Sequence, residues 1–587
     1  MNFIKRVLST VVGIFVFLTL GFLALIVIGL VFGGNSEEVV EVRPNSILDL
    51  KLDFPINDYA GKTVFKEYPF LNEDDKNGLF NLVAAIKYAK TDANIKGISI
   101  DNNAIMAGIT QTKTLRDALL DFKTSGKFIT SYADVYSQKD YYLNSVADTI
   151  YINPVGLMEF KGLYTERLYF KDFQEKSGIK IEVVRHGKYK SAVEPFLENE
   201  MSANNREQIS AYLNGLWAEL KSEISGIRNI PVQTLNHIAD SLLARTPELA
   251  LTSGLVDKIA YHDEYIAALK HAVGIDSAKA LKFVTIEDYA PYVMPKLMAK
   301  SSTNRIAVIY AEGDIMYGEG DVGVVGHLTL NKSIKKARED NKVKAIVLRI
   351  NSPGGSALAS ELIWREIELT KTVKPIIVSM GDLAASGGYY IAAHANRIFA
   401  QPTTITGSIG VFGTLPNFKN LADTMGINAE QVVTNANAVT YSVFEPLNDN
   451  QRKYIQEGIL DVYSLFTKRV ADGRNLTAEQ VEAIAQGRVW TGVDAHARGL
   501  VDELGDLDTA IAYAAKTAGI EDYKLNEYPV LEKNLDDMLE AFGLAKAKET
   551  LMAEELGEEN YRLLKEVKRL SQKKGVQLLF PFSAEIK

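Results

Sequence analysis

The pattern of apolar and polar positions divides the chain into three kinds of stretch. Residues 7–32 form an apolar run without a single charge. As a helix rising about 1.5 Å per residue it would extend roughly 39 Å, enough to cross a hydrocarbon layer of about 30 Å with some tilt. A cleaved signal segment has an apolar core of about 7–15 residues followed by a small-x-small site. Here the run is longer and ends in Val31-Phe-Gly-Gly-Asn35. Lys5 and Arg6 precede it, while Glu37, Glu38 and Glu41 follow. That asymmetry puts the N-terminus in the cytoplasm and the remaining chain outside the inner membrane. A buried core helix is the other reading of such a run, but a terminal segment has nothing local to pack against. The expectation is one uncleaved, single-pass anchor within residues 1–35, meeting the lipid bilayer through residues 7–32.

Beyond the anchor, short β-branched runs alternate with helical stretches. That alternation implies crossover connections and an α/β sheet buried on both faces. In the later half, a strand over 344–350 leads through Asn351-Ser-Pro-Gly-Gly355 to an amphipathic helix over 357–370. A strand over 375–380 leads to a helix starting near Ala385, and another strand covers 397–400.

The pattern also repeats. Lys96-Gly-Ile-Ser-Ile-Asp101 matches Lys344-Ala-Ile-Val-Leu-Arg349 at an offset of 248 residues. The same offset carries Lys127-Phe-Ile-Thr-Ser-Tyr132 onto Pro375-Ile-Ile-Val-Ser-Met380, Asp134 onto Asp382, and Tyr141-Tyr142 onto Tyr389-Tyr390. Lys190-Ser-Ala-Val-Glu-Pro195 matches Tyr441-Ser-Val-Phe-Glu-Pro446, and Gly254-Leu-Val-Asp257 matches Gly499-Leu-Val-Asp502. An ordered series at nearly constant offset implies a tandem duplication, with repeats over 45–300 and 301–520. Residues 521–587 form a tail whose strand character fades after about 525, with 531–570 reading as a charged, amphipathic helix. The closing apolar run Leu578-Leu-Phe-Pro-Phe-Ser-Ala584 fits either core packing or a place near a groove.

Composition narrows the chemistry. A length of 587 residues alone suggests about four domains, which the duplication replaces with two copies of one unit. Apolar residues at 47% and charged residues at 24% are ordinary for a globular chain. The absence of cysteine removes thiol catalysis, disulfides and cysteine zinc sites. With 65 basic against 74 acidic residues, the net charge of −9 argues against a broad nucleic-acid surface. Seven histidines contain no His-Glu-x-x-His pattern, so no zinc hydrolase is expected.

Candidate chemistry lies where the repeats disagree. Asp382-Leu-Ala-Ala-Ser386-Gly-Gly follows a strand and opens a helix. A small-residue turn there exposes a serine hydroxyl beside a following backbone N–H, the needs of a nucleophile and half an oxyanion hole. Taken alone, the string reads equally as a serine N-cap with glycines for close packing, and Asn351-Ser-Pro-Gly-Gly355 as an ordinary strand-to-helix turn. At the same end of neighbouring strands, the two loops together favour the site. The first repeat has Gln138 in place of Ser386 and Met106-Ala107 in place of Gly354-Gly355. Conversely, Lys190 stands where the second repeat has Tyr441. A serine nucleophile needs a base, and no histidine stands in a suggestive relation to Ser386. A lysine serves if burial lowers its pKa from about 10.4 toward working pH. One lysine among many is ordinarily a solvated surface charge; the reciprocal loss and retention between the halves singles out Lys190.

These motifs resemble the protease IV family, the long form of the membrane-anchored bacterial signal peptide peptidases, over nearly the whole chain. The most specific matches are Asn351-Ser-Pro-Gly-Gly355, Ala384-Ala-Ser-Gly-Gly-Tyr-Tyr390, Thr406-Gly-Ser-Ile-Gly-Val411 and Tyr189-Lys-Ser-Ala192. The resemblance implies a Ser/Lys-dyad peptidase on a duplicated ClpP/crotonase-like fold, without metal or organic cofactor. It implies Ser386 as nucleophile, Lys190 as general base, and Ser408 as the serine that orients the lysine amine, where the first repeat has Phe160. It implies N–H donation into the oxyanion hole from Gly355 and Gly387, with Gly354 shaping the turn. It further implies a homotetrameric bowl with an apolar groove, acting on signal peptides left in the membrane and on misfolded envelope proteins. With both repeats on one polypeptide, the dyad is expected within one chain.

Three other functions compete. An acyl-CoA enzyme of the crotonase-type fold would share paired oxyanion amides but needs no serine–lysine pair. A catalytically inactive membrane scaffold would explain the degenerate first half, not the intact second. A nucleotide-binding protein fails because Gly187-Lys188 lacks the glycine spacing of a phosphate loop.

Overall fold

A computed structural model describes residues 12–17, 19–21, 41–59, 61–65, 73–74, 78–298, 301–533 and 576–579. The chain divides into two units, Met1–Pro44 and Asn45–Lys587. Most of the apolar run over 7–32 lies outside the described residues. Within it, 12–17 and 19–21 are helical, and Val12, Phe15, Phe17 and Leu20 are exposed. Among the described residues, no helix is long and apolar enough to cross a membrane.

The second unit is built on two sheets with one strand order. In the first, Lys258–Ile259, Thr149–Met158, Phe128–Tyr136, Ile95–Asp101, Ser46–Asp49 and Phe283–Thr285 lie side by side, all parallel. In the second, which has eight strands, the same order is taken by Glu503–Leu504, Arg397–Ala400, Ile376–Ala385, Val343–Ser352, Arg305–Glu312 and Lys524–Tyr528, these six parallel. Ile405–Gly407 also pairs parallel with the end of Ile376–Ala385 and antiparallel with Val489–Thr491. The alternation of strand and helix dictates this arrangement, since a parallel neighbour needs a crossover. The central strand Val343–Ser352 is buried along nearly its whole length, as a strand covered by helices on both faces must be. Outer helices repeat as well. Ala203–Arg228 and Asp449–Arg474 are both 26 residues long and both end in a left-handed asparagine, Asn229 or Asn475. Each carries an arginine paired to the matching aspartate, Arg228 with Asp257 at 2.8 Å and Arg474 with Asp502 at 2.6 Å.

The expected loss of strand character after about 525 does not hold. Lys524–Tyr528 closes the second sheet just as Phe283–Thr285 closes the first, and Val530–Lys533 pairs with Lys62–Phe65. The tail expected to be helical over 521–587 therefore begins as strand. Its alternation is masked by charged residues, because a sheet edge needs burial on one face only. Residues 534–575, where most of the helical expectation falls, lie outside the described residues.

A third sheet ties the repeats together. Its order is Val324–Gly326, Asp314–Met316, Gly354–Ser356, Val576–Leu579, Val411–Asn417 and Lys180–His186. Lys180–His186 from the first repeat runs antiparallel to Val411–Asn417 from the second, with His186 opposite Val411 and Lys180 opposite Asn417. This cross-repeat ladder positions the candidate site.

Candidate active site

Strand Ile376–Ala385 ends one residue before Ser386, and helix Gly387–Ala392 starts one residue after it. The turn is sharp: Ser386 has φ 55° and ψ −112°, a conformation costing a non-glycine residue about 1–3 kcal/mol. Two backbone bonds hold it, Ser386 N–H to Gly407 O and Tyr390 N–H to Ser386 O, each 2.8 Å. The small residues that follow permit the turn. A Cβ on Gly387 would sit 2.8 Å from Ser360 Oγ, and one on Gly388 would sit 2.7 Å from Ser352 O.

Lys190 arrives from the other repeat. The strand Lys180–His186 delivers a turn in which Lys190 N–H donates to Gly187 O at 3.2 Å. Tyr189 N–H donates to Gln486 O, and Gln208 Nε2 donates to Tyr189 O, each at 2.9 Å. The side chain is fully buried. Its Nζ lies 2.8 Å from Ser386 Oγ, 3.0 Å from Ser408 Oγ and 3.1 Å from Ser408 O. Burial, with no charged partner opposing it, drives the amine well below its usual pKa. The amine donates to all three oxygens, one hydrogen to each of Ser386 Oγ, Ser408 Oγ and Ser408 O.

Ser408 is also fully buried and bent, with φ 51°, and its N–H donates to Arg488 O at 2.7 Å. The bend turns both its oxygens toward Lys190. Gly354 and Gly355 follow the central strand. Gly354 has φ 97°, which favours glycine, and its N–H donates to Ser352 Oγ at 3.1 Å. A Cβ on Gly387 would lie 3.1 Å from the Gly355 nitrogen, and one on Gly354 would lie 2.6 Å from the Gly387 nitrogen. The two amides therefore border one small space. All six residues singled out from the sequence meet here.

Several supports were not singled out from the sequence. Gly487 and Gly410 wall in the lysine: a Cβ on Gly487 would lie 2.7 Å from Lys190 N, and one on Gly410 would lie 3.2 Å from Lys190 Cδ. Gly410 sits in the Gly-Ser-Ile-Gly string, whereas Gly487 belongs to no motif. Asp382, just before the serine turn, accepts the Thr110 N–H at 2.7 Å, at the start of first-repeat helix Ile109–Lys123. Desolvation and the nearby Asp58 carboxylate push Asp382 up to about 6. Asp58 itself pairs with buried Arg349 at 3.0 Å. His186 is not in the cluster; its ring packs on Tyr463 at 4.4 Å. Among the described residues, no three His, Asp or Glu side chains converge on a metal position.

Comparison with known proteins supplies the class. The chain is 37% identical over 506 residues to Protease 4 of Haemophilus influenzae, covering 84% of this chain and 82% of that protein. It is 38% identical over 526 residues to Protease 4 of Salmonella typhi, covering 86% and 84%. It is 34% identical to the chloroplastic serine protease SPPA of Arabidopsis thaliana over 74% of this chain and 64% of that one. The protein is a serine peptidase. More narrowly, it belongs to Peptidase family S49, which matches residues 121–276 and again 368–521, once in each repeat.

Proposed function

We propose that the protein is a membrane-anchored endopeptidase working through a Ser386/Lys190 dyad on a duplicated ClpP/crotonase-like fold. One observation carries the reading: a fully buried lysine amine, its pKa lowered by burial, 2.8 Å from the hydroxyl of a serine on a strained turn. Neutral Lys190 takes the Ser386 proton as Oγ bonds to the peptide carbonyl carbon. The Gly355 and Gly387 N–H groups donate to the oxygen as it gains charge, and Ser408 keeps the amine aimed. Collapse breaks the C–N bond, with the Lys190 proton passing to the departing amine. Water then repeats the sequence on the acyl-serine, a variant of triad logic without histidine. None of these steps calls on a metal or organic cofactor.

Substrates in this reading are cleaved signal peptides and misfolded envelope proteins, met beside the bilayer by a chain anchored through residues 7–32. The exposed apolar side chains at 12–20 support an anchor in lipid, with the body of the chain on the periplasmic side of a bacterial inner membrane and the subunits assembled as a homotetramer. The test is direct. Purified Ser386→Ala and Lys190→Ala proteins should lose peptide hydrolysis while keeping the parent's elution volume; normal turnover by either defeats the dyad. Carbonate extraction of membranes should leave the full-length chain in the pellet, and its release would defeat the anchor.

A further inference from the structure

The helix Ala203–Arg228 buries one stripe at helical spacing. It is apolar at Ile209, Leu216, Leu220 and Ile224 but opens with two amides, Asn205 and Gln208. Gln208 is 1% exposed. Burying an amide costs free energy unless its N–H groups find acceptors, so its partners explain its presence. Gln208 Nε2 lies 2.9 Å from Tyr189 O, 2.9 Å from Ser191 Oγ and 3.2 Å from Asn205 Oδ1. The first two belong to the residues on either side of Lys190. A carbonyl oxygen only accepts, which fixes the amide with its N–H groups toward the lysine turn.

Lys190 needs a fixed base. Its stem of four carbons rotates freely, yet its Nζ stands 2.8 Å from Ser386 Oγ. Its backbone has φ −77° and ψ 74°, the geometry of neither helix nor strand, and a short 3-10 turn, Ser191–Phe196, follows it. The amide that spans this residue is itself anchored. Asn205 Nδ2 donates to one oxygen of the buried Glu194 carboxylate, and the other oxygen accepts the Ser202 N–H at 2.7 Å. The start of the helix and the stretch after the lysine are thereby joined.

The duplication shows which part of this arrangement goes with the lysine. Counted from the N-caps Ser202 and Asn448, Asn205 corresponds to Gln451 and Gln208 to Tyr454. Gln451 bonds its own helix start and Val439 O, and Tyr454 is 52% exposed. The repeat with Tyr441 in the lysine's place thus has no buried amide at the Gln208 position. Glu194, by contrast, has Glu445 as its counterpart. The carboxylate belongs to the scaffold, and the amide accompanies the lysine.

We propose that Gln208 is a positioning residue for the base: bonded on both sides of Lys190, it fixes the backbone from which the amine reaches Ser386. The inference rests on the dyad reading above.

The experiment uses the full-length protein with Gln208→Met, which keeps the length and removes the donors, and with Gln208→Glu, which puts a carboxylate in their place. Readouts are kcat and KM for a fluorogenic peptide across pH, the rate at which a small fluorophosphonate labels Ser386, and the melting temperature. Gln208→Met should lower kcat about tenfold or more. Its KM should stay within about twofold, because no substrate contact is lost, and labelling should slow by the same factor as kcat. Gln208→Glu sets a negative charge near the amine and favours its protonated form, so the rise of activity should move about one pH unit upward or more. Tyr454→Ala, at the matching position of the other repeat, should leave kcat unchanged. Parental kcat and labelling in Gln208→Met overturn the proposal, as does a Gln208→Glu protein whose activity rises at the parent's pH. Losses that come with aggregation or early melting and are equal at every pH also overturn it, making Gln208 a packing residue. Normal turnover by Lys190→Ala defeats the dyad reading instead. An inactive Lys190→Ala beside a parental Gln208→Met defeats only the role of Gln208.

Discussion

Where the second repeat turns at Ser386 with φ 55°, the first passes through Ser137 at φ −66° and ψ 163° into the helix Gln138–Asn144. Gln138, in the serine's place, spends its side-chain oxygen on the N–H groups of Lys161 and Gly162, at 3.1 and 2.8 Å. Phe160, in the place of Ser408, packs edge-on to Tyr141 and against Trp217, with ring centroids 5.7 and 5.3 Å away. Met106, in the place of Gly354, is an exposed side chain with no positive φ to accommodate. Two copies of one scaffold thus differ where the site is proposed: one keeps strained backbone and buried polar atoms, the other has relaxed into ordinary packing. Strain of this kind persists when its surroundings hold it in place, and the first repeat shows the same topology without it. It contributes the lysine turn, carried across on the Lys180–His186 ladder, and the Thr110 N–H that Asp382 accepts.

The largest effect should come from erasing that difference at the serine. Ser386→Ala should lower kcat by about ten-thousandfold or more, and adding Gln138→Ser to it should restore nothing in a peptide-hydrolysis assay. Recovery by the double variant would mean the first repeat holds a latent site. Next comes the oxyanion loop. A Cβ on Gly355 would collide with the Ile315 carbonyl, so Gly355→Ala should cost about a hundredfold in kcat or more, while Met106→Ala should leave kcat unchanged.

Ser408→Ala should cost roughly tenfold in kcat, the worth of one hydrogen bond to a reacting group. The pH–rate profile tells this from a packing defect. In the parent, activity should rise with pH through an apparent pKa well below 10.5, because Lys190 works unprotonated. Ser408→Ala should move that pKa, and His186→Ala should not. The same shift has a stability consequence. The folded pKa of Lys190 lies below its unfolded value, so folding releases a proton and stability rises with pH between the two.

Asp382 has the opposite sign. Its folded value of about 6 exceeds an unfolded value of about 3.9. Its contribution is therefore fully present below pH ~4 and lost as pH rises through ~6. Asp382→Asn should flatten that part of the curve in thermal melts taken between those limits. The smallest effect belongs to Lys188, whose amine lies over the Tyr189 ring at 4.9 Å. Lys188→Ala should change melting by no more than about 0.5 kcal/mol and leave kcat unaltered.

Much of this was legible in the sequence because duplication supplies an internal control. Strand spacing exposed the repeat, and reciprocal losses at Ser386 and Lys190 pointed to residues now seen 2.8 Å apart. Other parts were not legible. Gly487 acts by close approach to Lys190 from almost 300 residues away, and nothing local distinguishes it from a turn glycine. Asp382 takes its role from a helix N-terminus in the other repeat. Lys524–Tyr528 looked like tail because a short edge strand with charged residues has weak alternation, and Val576–Leu579 pairs with strands whose positions only the folded chain defines.

The ladder between Lys180–His186 and Val411–Asn417 has a consequence in time. Lys190 and Ser386 are 196 positions apart, and synthesis adds about 5–20 residues per second, so roughly 10–40 s separate their emergence from the ribosome. Through that interval the growing chain carries the proposed base without the proposed nucleophile. In that reading it has no complete site with which to digest itself or its neighbours while its own strands are still unpaired. In the proposed reading, dividing one site between two copies makes emergence of the second copy the event that arms it.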